Sequence, residues 1–297
     1  MYRILVWGCG LYYDKYINSI RYQEIKGNIK IVGLTGKDKL YSRLDGYPFI
    51  DINDIECSNV DYVVVTSEEH YAEINMEARA LGFREEEIIS AKVFCLPSFR
   101  FEDYIRLLKS KVSIIANNCW GGTAYHTLGM RFYSPFINMF ENDQDYLRML
   151  GNLRYYLGLK LRYVRSDYNG LLKREYPVCR LDDVELHFNH YVDMEEVEKK
   201  WYERIERLNW NNIFVMMFTE DRDILEIFDK LDYPKKVCFV PFESPLHSAV
   251  FMRILRCEEM KKVPFWKVVN QSASGHFHDY DLIKLLLEGK INHDRLF

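Results

Sequence analysis

Strands that alternate with helices from the first residues predict an α/β protein, a small Rossmann-like parallel-sheet domain followed by a larger α/β domain. Three observations carry this. Residues 3–7, 28–34, 61–65 and 88–93 are short aliphatic runs with helical stretches between them. Gly8 and Gly10 follow the first run and open a helix. At 297 residues the chain is too long for one ordinary core, and Leu96-Pro97-Ser98 breaks the alternation, so the expected domains are 1–98 and 99–297.

In the first domain, helices are expected to about residue 26 after the glycine loop and over 68–81, with a turn-rich stretch ending in Gly46-Tyr47-Pro48-Phe49-Ile50. The second opens with a short helix near 101–109 and a strand over 112–116. The loop Asn117-Asn118-Cys119-Trp120-Gly121-Gly122 follows, with Thr123 as the expected cap of the next helix. Asn142 can cap a helix running to about 159. Asp193 and Glu196 approximate a capping box, beyond which Val197, Trp201, Ile205 and Leu208 recur at helical spacing and predict a buried stripe. A strand over 213–218, a helix over 223–231 and a strand over 237–240 make a further βαβ unit, and a last helix is expected over 280–287.

Composition narrows the function classes. Hydrophobic residues at 48% and charged residues at 28% describe an ordinary globular chain. The 22 Tyr and 18 Phe suit either a large core or sugar-stacking surfaces. A formal charge of −4 argues against non-specific nucleic-acid binding, and Lys235-Lys236 and Lys261-Lys262 are isolated pairs rather than a basic stripe. Seven cysteines without a CxxC motif read as reduced thiols, hence a cytoplasmic protein. The amino terminus enters a strand at once without a signal segment, and no apolar run approaches the roughly 20 residues of a membrane helix.

Gly8 and Gly10 are the candidate phosphate-binding residues, because two glycines let backbone N–H groups approach an anion at a helix amino terminus. The full dinucleotide fingerprint would have Gly or Ala where Tyr13 stands and an acid where Thr35 stands, with Asp38 three residues too late. A scaffold with a vestigial loop fits equally, and no cofactor is assigned. In the second domain Asn117, Asn118, Gly121 and Gly122 could bind phosphate or sugar hydroxyls, with Trp120 stacking on a ring, or they could form a structural turn. Cys119 has no basic partner adjacent in sequence and is not expected to be a nucleophile. Strand alternation over 184–190 puts Glu185, His187 and Asn189 on one face, as base, orienter and hydrogen-bond donor or as a solvated face. His187 and His190 would then point oppositely, so no metal pair is expected. Glu220 and Asp221 follow a parallel strand, where they could contact sugar hydroxyls or a metal-bound diphosphate, or cap the next helix. His276, His278 and Asp279 lack the spacing of a zinc hydrolase, and Asp279 reads as a helix cap.

The runs Ile4-Leu5-Val6-Trp7-Gly8-Cys9-Gly10, Ile31-Val32-Gly33-Leu34, Gly46-Tyr47-Pro48 and Asp61-Tyr62-Val63-Val64-Val65 resemble the small Rossmann-like domain ahead of the catalytic part of many bacterial sugar-modifying enzymes, including sugar acyltransferases. From about 113 to 240 the chain resembles a bacterial family of unknown function associated with exopolysaccharide biosynthesis. The matching runs include Ile114-Ile115-Ala116-Asn117-Asn118-Cys119-Trp120-Gly121-Gly122, Ser134-Pro135-Phe136-Ile137-Asn138-Met139-Phe140 and His187-Phe188-Asn189-His190-Tyr191. These resemblances imply polysaccharide metabolism. The resulting expectation is a glycosyltransferase-like enzyme using a nucleotide sugar, its partner a small-molecule ligand. A non-catalytic binding or regulatory protein of the same pathway is the alternative, and an NAD-linked oxidoreductase comes third.

Overall fold

The computed structural model of the protein describes residues 1–37, 42–275 and 280–291. The first aliphatic run forms β1 (Tyr2–Trp7), followed by α1 (Tyr13–Ile25) and β2 (Ile29–Thr35). A short hairpin of β3 (Arg43–Leu44) and β4 (Tyr47–Pro48) leads to β5 (Tyr62–Val65), α2 (Tyr71–Ala80) and β6 (Ile88–Ser90). The four longer strands pair in parallel in the order β2-β1-β5-β6. A parallel sheet covered on both faces needs continuous aliphatic runs, which is why Ile4–Trp7 and Tyr62–Val65 are buried without alternation. The chain leaves β1 toward β2 on one side and reaches β5 on the other, so the switch point lies between β1 and β5. The expected fourth strand stops at Ser90, whose hydroxyl accepts from the Lys92 amide and turns Ala91–Cys95 into a 3₁₀ helix.

The chain divides into two compact units, Met1–Leu108 and Lys109–Phe297, the division falling inside α3 (Phe101–Ser110). In the first unit the fully buried Phe101 ring lies edge-on to Tyr2 and Tyr62, at 5.5 and 5.6 Å between centroids.

The second unit runs through β7 (Ser113–Ala116), α4 (Trp120–Thr127), α5 (Asp143–Gly151), α6 (Leu153–Leu157), β8 (Arg162–Asn169), β9 (Arg174–Leu181), β10 (Val184–His187) and α7 (Met194–Ile205). It continues with β11 (Ile213–Phe218), α8 (Arg222–Asp229), β12 (Lys236–Val240), β13 (Ala249–Phe251), α9 (Glu258–Lys261), α10 (Phe265–Ser272) and α11 (Leu282–Glu288). Two sheets result: a parallel one in the order β13-β12-β11-β7 and an antiparallel one in the order β10-β9-β8. Ile115, Val215, Met217, Cys238 and Val240 of the first share one core with Cys179, Leu181, Val184 and Leu186 of the second. α5 and α6 contribute Tyr146, Met149, Leu150 and Leu153, and α7 contributes Val197 and Trp201. The opposite face of the parallel sheet packs on α4 through Ile114, Ala116, Phe214 and Phe239.

Local signals account for several helix ends. The Asn142 and Asp193 side chains cap α5 and α7 by accepting from the amides of Asp145 and Glu196. The helix expected to run from Asn142 to 159 is broken at Asn152, whose ψ of 58° leaves the helical region. α11 is capped by Asp281, which accepts from the Lys284 amide; Asp279, like Asp38, His276 and His278, lies outside the described residues. No helix among the described residues is long and apolar enough to cross a membrane.

Candidate functional site

The loop after β7 begins with two asparagines whose side chains are committed differently. Asn117, 1% exposed, acts as an extra strand residue: its Nδ2 donates to the Phe218 carbonyl and its Oδ1 accepts from the Phe218 amide, both at 3.2 Å. That amide holds β7 to β11 and is not open to a ligand, which corrects its expected role in sugar binding. Asn118 Oδ1 accepts from the Trp120 amide at 3.0 Å and so starts α4, while its buried Nδ2 has no partner among the described residues. The helix therefore begins three residues before Thr123, whose hydroxyl donates back to the Cys119 carbonyl.

Trp120 is not a stacking wall. Its ring is fully buried between Phe214 and Phe239, and its Nε1 donates to the Tyr280 hydroxyl at 3.0 Å. Gly121 and Gly122 are likewise packing residues rather than a phosphate cradle. They sit inside α4, where a Cβ on Gly121 would stand 3.1 Å from Ile114 Cγ2 and one on Gly122 would stand 3.3 Å from Asn138 Oδ1. The pair lets the helix lie close on the sheet.

Beside this loop the chain brings in a residue that sequence reading missed. The Glu141 amide donates to the Asn117 carbonyl at 3.3 Å, and its side chain, 4% exposed, has no partner for either oxygen among the described residues. Burial, and then the charge of Asp145, raise its carboxyl well above the ordinary value, so burial favours its protonated form. Cys119 is pushed up to about 11 by burial and by Glu141, so the thiol is no thiolate at neutral pH. Nothing in the sequence marks Glu141, since an acid just before the cap Asn142 reads as a solvated charge beside a helix start.

His187 joins through Phe140. The two backbones exchange N–H···O bonds of 3.0 Å, and the rings stack at 4.6 Å and 14°. His187 Nδ1 is buried without a partner among the described residues, and burial, then Arg165, lower its pKa, so the imidazole is neutral at pH 7. Alternation along β10 does put Glu185 and His187 on the face opposite Val184 and Leu186. Glu185, however, is ion-paired with Arg180 and Arg165, which hold its carboxyl below the usual range; it is a fixed anion rather than a base. Asn189 lies past the end of β10, in a turn closed by its own amide on the His187 carbonyl, and its Oδ1 is a further buried atom without a partner among the described residues. Asn118, Glu141, His187 and Asn189 thus lie along one backbone-linked seam, and β10 reaches it from the antiparallel sheet rather than from the sheet of β7 and β11.

The acidic pair after β11 separates. Asp221 caps α8 by accepting from the amides of Asp223 and Ile224, which corrects its expected contact with metal or sugar. Glu220 is exposed and lines an open cleft of about 720 Å³ beyond β11, β12 and β13. That cleft also holds Phe242, Arg256 and Trp266, none of them singled out by the sequence reading, and Lys261 and Lys262, which the sequence offers only as an isolated basic pair.

In the first unit, loops after β1, β2 and β5 enclose a cleft of about 380 Å³ at the switch point, with Gly8, Gly10, Lys37, Thr66 and His70 in its lining. Thr35 is fully buried and its hydroxyl donates to the Ile50 carbonyl, so a ribose would meet no acid there. Tyr13 is buried as well and bonds Asp45 instead of entering the cleft. The two glycines differ. Gly8 has φ +107°, and a Cβ there would stand 2.8 Å from Thr66 Oγ1, whereas nothing lies within 4 Å of a Cβ on Gly10. Gly8→Ala is therefore expected to cost about 1–3 kcal/mol and Gly10→Ala to stay within about 0.5 kcal/mol of wild type. Thermal denaturation without ligand checks both, and equal losses at the two positions would contradict the backbone account.

Comparisons with known proteins place the chain. An uncharacterized protein of Haemophilus influenzae is 34% identical over 150 residues, which is 49% of this chain and 69% of that one. Aspartate semialdehyde dehydrogenase II of Vibrio cholerae, solved in complex with ASA, aligns over 78% of each chain at 8% identity and a TM-score of 0.25, too low to carry an argument. Residues 1–89 match the C2185-like N-terminal domain. Residues 90–286 match the domain of unknown function DUF1919, and with well over half of its length in that match, the chain belongs to the DUF1919 family.

Proposed function

We propose that the second unit transfers a sugar from a nucleotide-activated donor to an acceptor hydroxyl in the assembly of a bacterial exopolysaccharide or other surface polysaccharide. One observation supports the reading above all. Asn118, Glu141, His187 and Asn189 carry buried polar atoms that no described protein group satisfies, on segments that backbone bonds tie to the loop at the carboxyl end of β7. Each such atom costs about 1–3 kcal/mol when left unpaired. A polyhydroxylated ligand can satisfy an amide NH₂, a protonated carboxyl, an imidazole and an amide oxygen together.

In this reading neutral His187 is the base. The acceptor oxygen bonds to the anomeric carbon, the bond from that carbon to the diphosphate oxygen breaks, the acceptor proton passes to His187, and the diphosphate leaves with the electron pair. Protonated Glu141 donates a hydrogen bond to a sugar oxygen. The polysaccharide context rests on the resemblance of the second domain, and the seven unpaired thiols support a reducing compartment such as the cytoplasm.

The test is release of nucleoside diphosphate from a panel of nucleotide sugars. His187→Ala is expected to lose about 10²–10⁴-fold in turnover with little change in melting temperature. Wild-type turnover is expected to persist below pH 6.5, the ordinary imidazole value, because the shift at His187 is downward. Undiminished turnover in His187→Ala would exclude the base assignment. Sugar-nucleotide binding without turnover in wild type would make the chain a ligand-binding protein of the same pathway instead.

A further inference from the structure

We infer that the cleft beyond β11, β12 and β13 is the binding site for a nucleoside diphosphate, with Arg256, Lys261 and Lys262 on the phosphates and Trp266 beside the base. The assignment rests on the proposed sugar transfer for its biological sense, but its physical grounds are separate.

Three consecutive parallel strands deliver their following loops to this cleft: Glu220 after β11, Pro241, Phe242 and Glu243 after β12, and Phe251 at the end of β13. That is the edge where open α/β sheets bind ligands. Its volume of about 720 Å³ suits one small molecule of nucleotide size rather than a polymer. The charge is inverted relative to the chain. Three cations, Arg256, Lys261 and Lys262, face two carboxylates, Glu220 and Glu243, whereas the whole chain has a formal charge of −4.

The cations are held loosely enough to turn to a ligand. Arg256 pairs with Glu243 at 3.2 Å with the two side chains 66% and 77% exposed, and Lys261 pairs with Glu258 at 2.6 Å with 53% and 75% exposed. Exposed pairs of this kind contribute little, less than a charge-assisted bond to phosphate contributes. No ion pair within the described residues is made by Lys262. The amino-terminal end of α10 opens on the same space: Pro264, Phe265 and Trp266 all line it, and Pro264 brings no capping side chain to the helix dipole. For the base there is an aromatic surface in reach. Trp266 remains 42% exposed, and Phe242 carries the Arg222 guanidinium 4.0 Å from its ring centroid.

Binding of UDP and of inorganic pyrophosphate to the full chain, read by calorimetry and by tryptophan fluorescence, tests the site. UDP is expected to bind more tightly than pyrophosphate, to weaken as salt rises, and to lose at least about tenfold in affinity in Lys261→Ala/Lys262→Ala, equivalent to about 1.4 kcal/mol. Trp266→Leu is expected to weaken UDP and leave pyrophosphate unchanged. Lys267→Ala, next in sequence but outside the lining, is expected to bind as wild type. The substituted side chains are exposed, so the variants are expected to keep their melting temperature. Unchanged UDP affinity in the double variant, or no binding of either probe by wild type, overturns the assignment. Failure of the sugar-transfer reading is separately visible: UDP binding that follows this pattern with no nucleotide sugar consumed removes the transfer and leaves the cleft.

Discussion

Trp120→Ala is expected to lower the unfolding free energy by about 3–5 kcal/mol, among the largest effects of any single substitution in this chain. The ring is fully enclosed by Phe214 and Phe239, and its Nε1 bond ends on Tyr280, which in turn lies 2.7 Å from the Ser272 hydroxyl. Alanine would leave a cavity between α4 and the parallel sheet and remove one hydrogen bond from the Tyr280 hydroxyl. Trp120→Phe keeps much of the volume and loses the hydrogen bond, so it is expected to cost about 1–2 kcal/mol. Urea denaturation distinguishes this from a sugar-stacking role, under which the alanine variant would keep its stability and lose ligand affinity.

Glu141→Gln is expected to raise stability at neutral pH while abolishing turnover. The carboxyl is buried without a described partner, and its folded-state pKa is raised above the ordinary 4.5 by burial and Asp145. An acid shifted in this direction binds more protons in the folded state than in the unfolded one. Its contribution is fully present below about pH 4.5 and is lost as pH rises toward the folded-state value. The loss amounts to about 1.4 kcal/mol per pH unit while the folded carboxyl stays protonated. Glutamine has no proton to lose, so the pH dependence of the melting temperature above about pH 4.5 should flatten in the variant, with its advantage appearing as pH rises past that value. A variant less stable than wild type at pH 8 would show that Glu141 is satisfied by something its environment does not display. Retained turnover would remove it from the proposed sugar site. A side chain that weakens the fold at working pH fits a group kept for its chemistry rather than its packing.

The seam could not have been read whole from the chain alone, because Asn118, Glu141 and the pair His187 and Asn189 are far apart in sequence and each has an ordinary local explanation. His187 was visible as the odd residue on a strand face, and Asn118 as part of an unusual polar loop. Glu141 carried no such signal. Its burial arises only because the Phe140–His187 bridge and the Glu141–Asn117 bond draw the segment in against the end of β7. Asn117, Trp120, Gly121 and Gly122 show the reverse. Their residue types suit ligand binding, and packing used them up: the amide as a strand clasp, the indole as core, the glycines as room for a helix.

By itself the sequence determined the parallel strands of both units except β13, the caps at Asn142 and Asp193, and the buried stripe of Val197, Trp201 and Leu208. These follow from aliphatic runs, side-chain oxygens at helix starts and helical periodicity, all of which act within a few residues. Only the tertiary structure decided the antiparallel sheet, since β8 is exposed along nearly its whole length and shows no apolar alternation for a reader to find. It alone also decided the cleft of Arg256, Lys261, Lys262 and Trp266. A charge's worth depends on what stands opposite it and on how much water lies between, and neither is written in the order of the residues.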